Sequence, residues 1–410
     1  MRKKLYITFF LVGCCVLLLS FINKREKNNV TTFSLLTQQK TYKAGSPIML
    51  TFKSSSNVVT SLLLKSSYGS VLLNATKSND TLNYIVPKFY IQKAGYISWV
   101  LIGNDKHIHK GNFDIIPEDD IRIENYLGPR SMPAGDGHYT MMVSIPTDRY
   151  DNPKPDDTPT IIKTQFLENI TEQSIPTKDF ISWKRIYSPE KAGKIITSVA
   201  CMGKETKETE TDVYATIPTN FTIDYTRNHA FSDGNQATTL TSSIIKDKFG
   251  NTVGDGTMVT YIATTTENAV LKTYGNTVQG IAQADILSPE HADVYTVKAY
   301  INGMAESNTV NIKYKQVKTS IDYTLSDDKR TVTVGAINSF MNQIAPDGTT
   351  VTLQVYHKGK LVDSSNEYTR KGMAAFTLSE EVYKEKEYSF AITALGNTVT
   401  TEIIHYNAGK

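Results

Sequence analysis

The sequence predicts an all-β protein: tandem antiparallel β-sandwich domains behind an N-terminal transmembrane or signal helix. Three observations predict it. Blocks recur at an offset of about 100 residues. Runs inside each block alternate apolar and polar residues with period two, which buries one face of a strand and wets the other. Asn-Gly and Asp-Gly pairs, which accept the positive φ of tight hairpins, separate the runs. Of 410 residues, 40% are hydrophobic and 21% charged, which excludes a wholly disordered chain and a polytopic membrane protein. Lys+Arg 44 against Asp+Glu 41 leaves a net charge of +3. No basic stripe interleaved with aromatics occurs, so nucleic acid is not an expected partner.

The first element is residues 1–22, a signal or anchor segment. Met1-Arg-Lys-Lys4 is basic, and an apolar run from Leu5 to Ile22 follows. Its 18 residues reach the lower edge of what spans a bilayer. Three fates are open: an uncleaved single-pass anchor, lipidation at Cys14 in Leu11-Val-Gly-Cys14, or cleavage near Ser20. The basic residues before the run outweigh those after it, so the positive-inside rule exports everything beyond residue 30. Residues 23–32, polar and basic, form a stem. Cys201 is then the only cysteine outside the apolar run, so no disulfide can close within the exported domains. It lies in Ser198-Val-Ala-Cys-Met202 and reads as a small buried hydrophobe.

Four sandwich units follow, at 33–117, 131–216, 220–315 and 319–406. The second and third are the most alike. Tyr187-Ser-Pro-Glu-Lys-Ala-Gly193 matches Leu287-Ser-Pro-Glu-His-Ala-Asp293, and Asp148-Arg-Tyr-Asp-Asn152 matches Asp247-Lys-Phe-Gly-Asn251. Asp157-Thr158 matches Gly256-Thr257, and Asp136-Gly137 is paired with Asp233-Gly234. The first unit shares Lys93-Ala-Gly95 with Lys191-Ala-Gly193; the fourth shares Pro346-Asp-Gly-Thr349 with Gly254-Asp-Gly-Thr257. Period two is plain in Thr257–Ala263, Tyr295–Ile301, Thr349–Tyr356 and Tyr388–Ala394. The best short helix candidate is Glu380–Glu387, and Pro189–Ala192 fits a single turn.

At these residues the chain resembles the bacterial immunoglobulin-like domains of the invasin and intimin type. The third unit carries most of that pattern: Asp233-Gly234, Asp247-Lys-Phe-Gly-Asn-Thr-Val253, Gly256-Thr-Met-Val259 and Asn302-Gly303. The second departs by Asp151 in place of the turn glycine and by Asp157 in place of the glycine before Thr158. The resemblance implies exported Ig-like sandwiches without disulfides, often strung in tandem, and it transfers no binding site.

Candidate sites are few. His107 and His109 stand two apart, which on a regular strand puts both on one face and suits two ligands of a metal, with Asp105 as a carboxylate. Glu118, Asp119 and Asp120 sit at a domain junction, where a bridging calcium could bind; an exposed hairpin and a solvated turn are the plainer readings of the two groups. Trp183 is the candidate for ligand stacking, whereas Trp99, in Ser98-Trp-Val-Leu-Ile102, reads as core. No nucleophile elbow, phosphate loop or zinc-ligand spacing occurs, and no cofactor is expected. The expectation is a membrane-anchored, exported, non-enzymatic adhesin, stalk or interaction module in a bacterial cell envelope, on the surface or in the periplasm. Its partner is a protein or a glycan. A periplasm-facing scaffold of a secretion or transport machine and a glycan-binding accessory protein are the alternatives.

Overall fold

In the computed structural model, residues 33–55, 58–104 and 106–406 are described. The segments 1–22 and 23–32, with Cys14, and the residue Asp105 lie outside them. Among the described residues, no helix is long and apolar enough to cross a membrane. The chain is all-β, a tandem of Ig-like sandwiches.

The alternation places the apolar side chains on inner faces as expected. Val259, Tyr261 and Ala263 are buried along Met258–Thr264, and Tyr388, Phe390, Ile392 and Ala394 along Glu387–Ala394. In the first sandwich, a sheet ordered Phe33–Leu35, Met49–Ser54, Thr81–Ile85, Thr76–Ser78 faces one ordered Thr41–Lys43, Lys106–Ile116, Gly95–Gly103, Thr60–Ser66, Gly69–Asn74. Leu50, Phe52 and Tyr84 from one side meet Leu62, Leu64, Trp99 and Phe113 from the other. Trp99 is core: its ring lies 5.4 Å from that of Phe52, edge-on. The opening segment changes sheets within the first two sandwiches; in the third its two strands, Ile223–Thr226 and Phe231–Ser232, lie at opposite edges of one continuous eight-stranded sheet. Thr41–Lys43, Ser131–Pro133 and Phe231–Ser232 each pair in parallel with the last long strand of their own sandwich.

Helix is almost absent. Glu380–Glu387 contains a turn that leads into the strand Glu387–Ala394, and Pro189–Ala192 makes no helical turn. The one α-helix among the described residues is Lys88–Ile91, which Pro87 opens from an extended conformation.

Four apolar cores are separated along the chain, and the second is unlike the rest. It holds nine buried apolar side chains among the described residues, against seventeen or eighteen in each of the others. Hydroxyls fill the remaining interior: Thr160 donates to Ser182 (2.6 Å) and Thr140 to the Pro129 carbonyl (2.9 Å). Phe249, from the third sandwich, packs against this small core. Cys201 is buried, and burial pushes its thiol above the usual range.

Candidate functional site

The repeated sequence blocks meet one another at the joints between sandwiches. At the first joint, the carboxylate of Asp148 is wholly buried, at 0% exposure. Its Oδ1 accepts the backbone N–H groups of Tyr150 (2.8 Å) and Asn152 (3.0 Å). Its Oδ2 accepts the side-chain amide of Asn152 (2.8 Å) and the N–H of Glu118 (2.9 Å) in the linker. Held in this way, Asn152 reaches back into the first sandwich. It accepts the N–H of Ala94 (2.8 Å) and donates to the carbonyl of Gln92 (2.9 Å).

The second joint repeats this bond for bond. Asp247 accepts the N–H groups of Phe249 (2.9 Å), Asn251 (2.8 Å) and Thr216 (2.9 Å), and the Asn251 amide (2.9 Å). Asn251 accepts the N–H of Ala192 (2.8 Å) and donates to the Glu190 carbonyl (2.7 Å). Asp supplies four acceptor sites and Asn a donor–acceptor pair that fits one peptide edge, so this combination can grip a neighbouring loop. Burial opposes ionisation of both carboxyls. The donated bonds from Asn152, Glu118 and Tyr150 outweigh it at Asp148, and those from Asn251, Thr216 and Phe249 at Asp247; both sit below the usual carboxylate range.

An aromatic ring completes each clasp. Tyr150 lies over Gly45 and Phe249 over Gly135, so closely that a Cβ at either glycine would overlap the ring. Both glycines have positive φ, and both donate their N–H to equivalent carbonyls, those of Ile91 (2.7 Å) and Pro189 (2.9 Å). In the third sandwich it is Gly234 that donates to Pro289 (3.1 Å). The structural partner of Gly234 is therefore Gly135 rather than Gly137, which displaces the sequence pairing of Asp136-Gly137 with Asp233-Gly234 by two residues.

The third joint lacks the clasp. The bridge Asn338↔Ile344 occupies the place of Thr147↔Pro153 and Lys246↔Thr252, so Ser339 and Gln343 stand where Asp and Asn stand in the other two. The turn itself survives, closed by the Ser339 N–H on the Gln343 carbonyl (2.6 Å). The N–H of Ala292, equivalent to Ala94 and Ala192, goes instead to the side chain of Gln316 (3.1 Å), whose amide also donates to the Leu395 carbonyl of the fourth sandwich; Asn397 donates to the Val317 carbonyl (2.8 Å), and Glu290 accepts the N–H of Thr350 (3.1 Å). Phe340 stacks on Phe231 (4.5 Å) and meets the His229 ring at a tilt (4.4 Å), while Met341, in the ring position, is 75% exposed. An open cleft of about 500 Å³ lies here, lined by Phe231, the linker from Gln316 to Ser320 and the turn from Asn338 to Asn342.

The junction acids take part in the first joint as ion pairs. Arg149 contacts Glu118 (2.7 Å) and Asp120 (3.3 Å), and Lys43 pairs with Asp119. The hydrogen bond and charge of Lys43 hold the Asp119 carboxyl below its usual range. His107 and His109 lie in Lys106–Ile116, but a bulge between their partners Ile102 and Leu101 breaks the simple alternation. The His109 ring lies 5.9 Å from Trp99 and 6.3 Å from Phe52. Among the described residues, no three His, Cys, Asp or Glu side chains gather in a group that could hold a metal ion.

Trp183 is 49% exposed, on the outer face of the sheet ordered Arg122–Gly128, Tyr139–Thr147, Ser182–Tyr187. The register sets Tyr126, Val143 and Trp183 in one row, Gly128, Met141 and Arg185 in the next, and Tyr139 opposite Tyr187 beyond. The Arg185 guanidinium lies 5.0 Å from the Tyr139 ring centroid and 5.9 Å from that of Trp183. Tyr139 and Tyr187 are 5.9 Å apart. Tyr126 donates to Glu124 (3.2 Å), and that bond raises its phenol above the usual value. Sequence reading found Trp183 alone. Tyr126, Tyr139, Arg185 and Tyr187 come from strands whose pairing it did not specify, although their outward positions follow from period two.

No family model and no curated protein matches the sequence. Among solved structures, the chain is similar to FdeC, an Escherichia coli adhesin, at 15% identity and a TM-score of 0.47, over 69% of this chain and 96% of that one. It is also similar to invasin, a bacterial integrin-binding protein, at 11% identity and a TM-score of 0.44, over 92% of this chain and 79% of that one. A third likeness is to an ectodomain fragment of ICAM-5, at 11% identity and a TM-score of 0.37, over 92% of this chain and 99% of that one. The tandem sandwich architecture rests on the strand pairing described above.

Proposed function

We propose that the chain is an exported, membrane-anchored interaction stalk of a bacterial envelope that acts by contact rather than by catalysis. The observation that carries this reading is the duplicated Asp–Asn clasp. Sandwiches joined only by linkers turn freely. A buried carboxylate with four donors, an amide gripping the neighbouring backbone and a ring seated on a glycine fix one sandwich against the next. Such joints serve a protein that must hold a surface at a distance. The basic-then-apolar segment at residues 1–22 supports anchoring and export, with Cys14 as a lipidation site if the segment is processed there.

The reading is tested on intact cells with a bulky protease and a blot against the fourth sandwich. Loss of the C-terminal epitope without lysis is the expected result. Protection until the envelope is breached would contradict surface display and favour a periplasmic scaffold.

A further inference from the structure

We propose that the outer face of the Trp183 sheet is a binding site for a carboxylated saccharide, of the uronate or sialate class. The proposal deepens the interaction-stalk reading by naming a partner class for it.

Four aromatic side chains of one small sheet face, Tyr126, Tyr139, Trp183 and Tyr187, are all exposed. Outward positions on a half-wet sheet are ordinarily polar, so this concentration needs a reason. Covering by the chain itself is not that reason, since all four remain open to solvent with every described residue in place.

Size discriminates between occupants. Three strands about 4.8 Å apart, over the four residue steps from Trp183 to Tyr187 at about 3.4 Å each, give a platform of roughly 10 by 14 Å. That is on the order of 140 Å², well short of the ~800 Å² that each partner contributes to a standard protein interface. It accommodates two or three sugar rings. The apolar C–H face of a pyranose matches the negative face of an aromatic ring, and tyrosine hydroxyls and the indole N–H at the ring edges can meet its hydroxyls.

Charge discriminates further. Arg185 lies between Tyr139 and Trp183 as a planar fork of five donors, suited to a carboxylate. Among the described residues it has no ion pair with an acid of this protein. Glu124 lies at the other end of the face, engaged with Tyr126. The Tyr139–Trp183–Tyr187 half therefore presents one unneutralised cation amid rings, which complements a sugar acid and disfavours a neutral one.

The test uses the full-length chain in detergent, titrated with polygalacturonate, polysialic acid, their carboxyl-reduced forms and dextran. Saturable binding to at least one acidic polymer is expected, with at least tenfold weaker binding to its carboxyl-reduced form. Trp183→Ala and Arg185→Gln, both at exposed positions, should each weaken it tenfold or more, and Tyr187→Ala should weaken it less, with unchanged melting temperatures. Absence of binding to either acidic polymer would overturn the proposal. So would binding indifferent to Trp183→Ala, or equal binding of reduced and acidic polymers. A purified protein that bound this face while neither polymer did would replace the saccharide. None of these results bears on the clasps, whose rigidity is measured separately.

Discussion

At the residue scale, the joints depend on two buried aspartates. A carboxylate accepting several N–H bonds titrates lower than in an unfolded chain, where the value is about 3.9. The folded value is the depressed one. The stabilisation contributed by Asp148 and Asp247 is therefore fully present above pH ~4 and is lost as pH falls through the folded values. Joint stability should not change between pH 5 and 8 on their account, and should fall steeply below pH 4. Denaturant titrations across that range check this. Asp148→Asn with Asp247→Asn should lower stability at neutral pH and flatten the acid fall; an unchanged acid limb in the double variant would remove the clasp as its cause. Asp151 and Asp157 show the same economy of local chemistry. Each replaces a glycine of the neighbouring repeat, and each has positive φ, 62° and 65°, as Gly250 and Gly256 do at 82° and 86°. Asp tolerates that region better than other side chains, so the repeat keeps its turns while its sequence drifts.

At the element scale, strands and turns were largely legible in the sequence because period two and Asn-Gly or Asp-Gly signals are local. The clasp was visible only in halves. Lys93-Ala-Gly95 and Asp148…Asn152 each stood out as a repeat mark, but the hydrogen bond from Ala94 to Asn152 spans 58 residues and joins different units. Nothing in a single repeat reports a bond to its neighbour. The Trp183 face was hidden for a related reason: period two tells which residues point outward, not which strands lie side by side. The same cross-unit contact predicts a stability effect. The second sandwich has a small apolar core, and Phe249 from the third covers it. Phe249→Ala should therefore destabilise the second sandwich more than the third, by about 1–2 kcal/mol, less than for full burial because the ring is only partly covered. Hydrogen exchange resolved by peptide distinguishes the two; a loss confined to 223–316 would contradict the packing argument.

At the scale of the whole molecule, three joints of two kinds divide the chain. The first two carry Asp, Asn and a ring on glycine. The third keeps the turn but has Ser339 and Gln343, leaves a cleft, and is crossed instead by bonds from Gln316 to the Leu395 carbonyl, from Asn397 to the Val317 carbonyl (2.8 Å) and from the Thr350 N–H to Glu290 (3.1 Å). Each clasp hydrogen bond contributes about 0.5–1.5 kcal/mol, and orphaning its buried partners costs about 1–3 kcal/mol. Losing either clasp should thus loosen its own joint and no other. Spin-label pairs placed across each joint on exposed strand positions measure this most directly, as distributions of interdomain distance. Narrow distributions are expected across the first and second joints, with Asn152→Ala and Asn251→Ala each broadening its own joint alone. Broad distributions across the first two joints, or no broadening in either variant, would contradict the clasp as the device that stiffens the stalk.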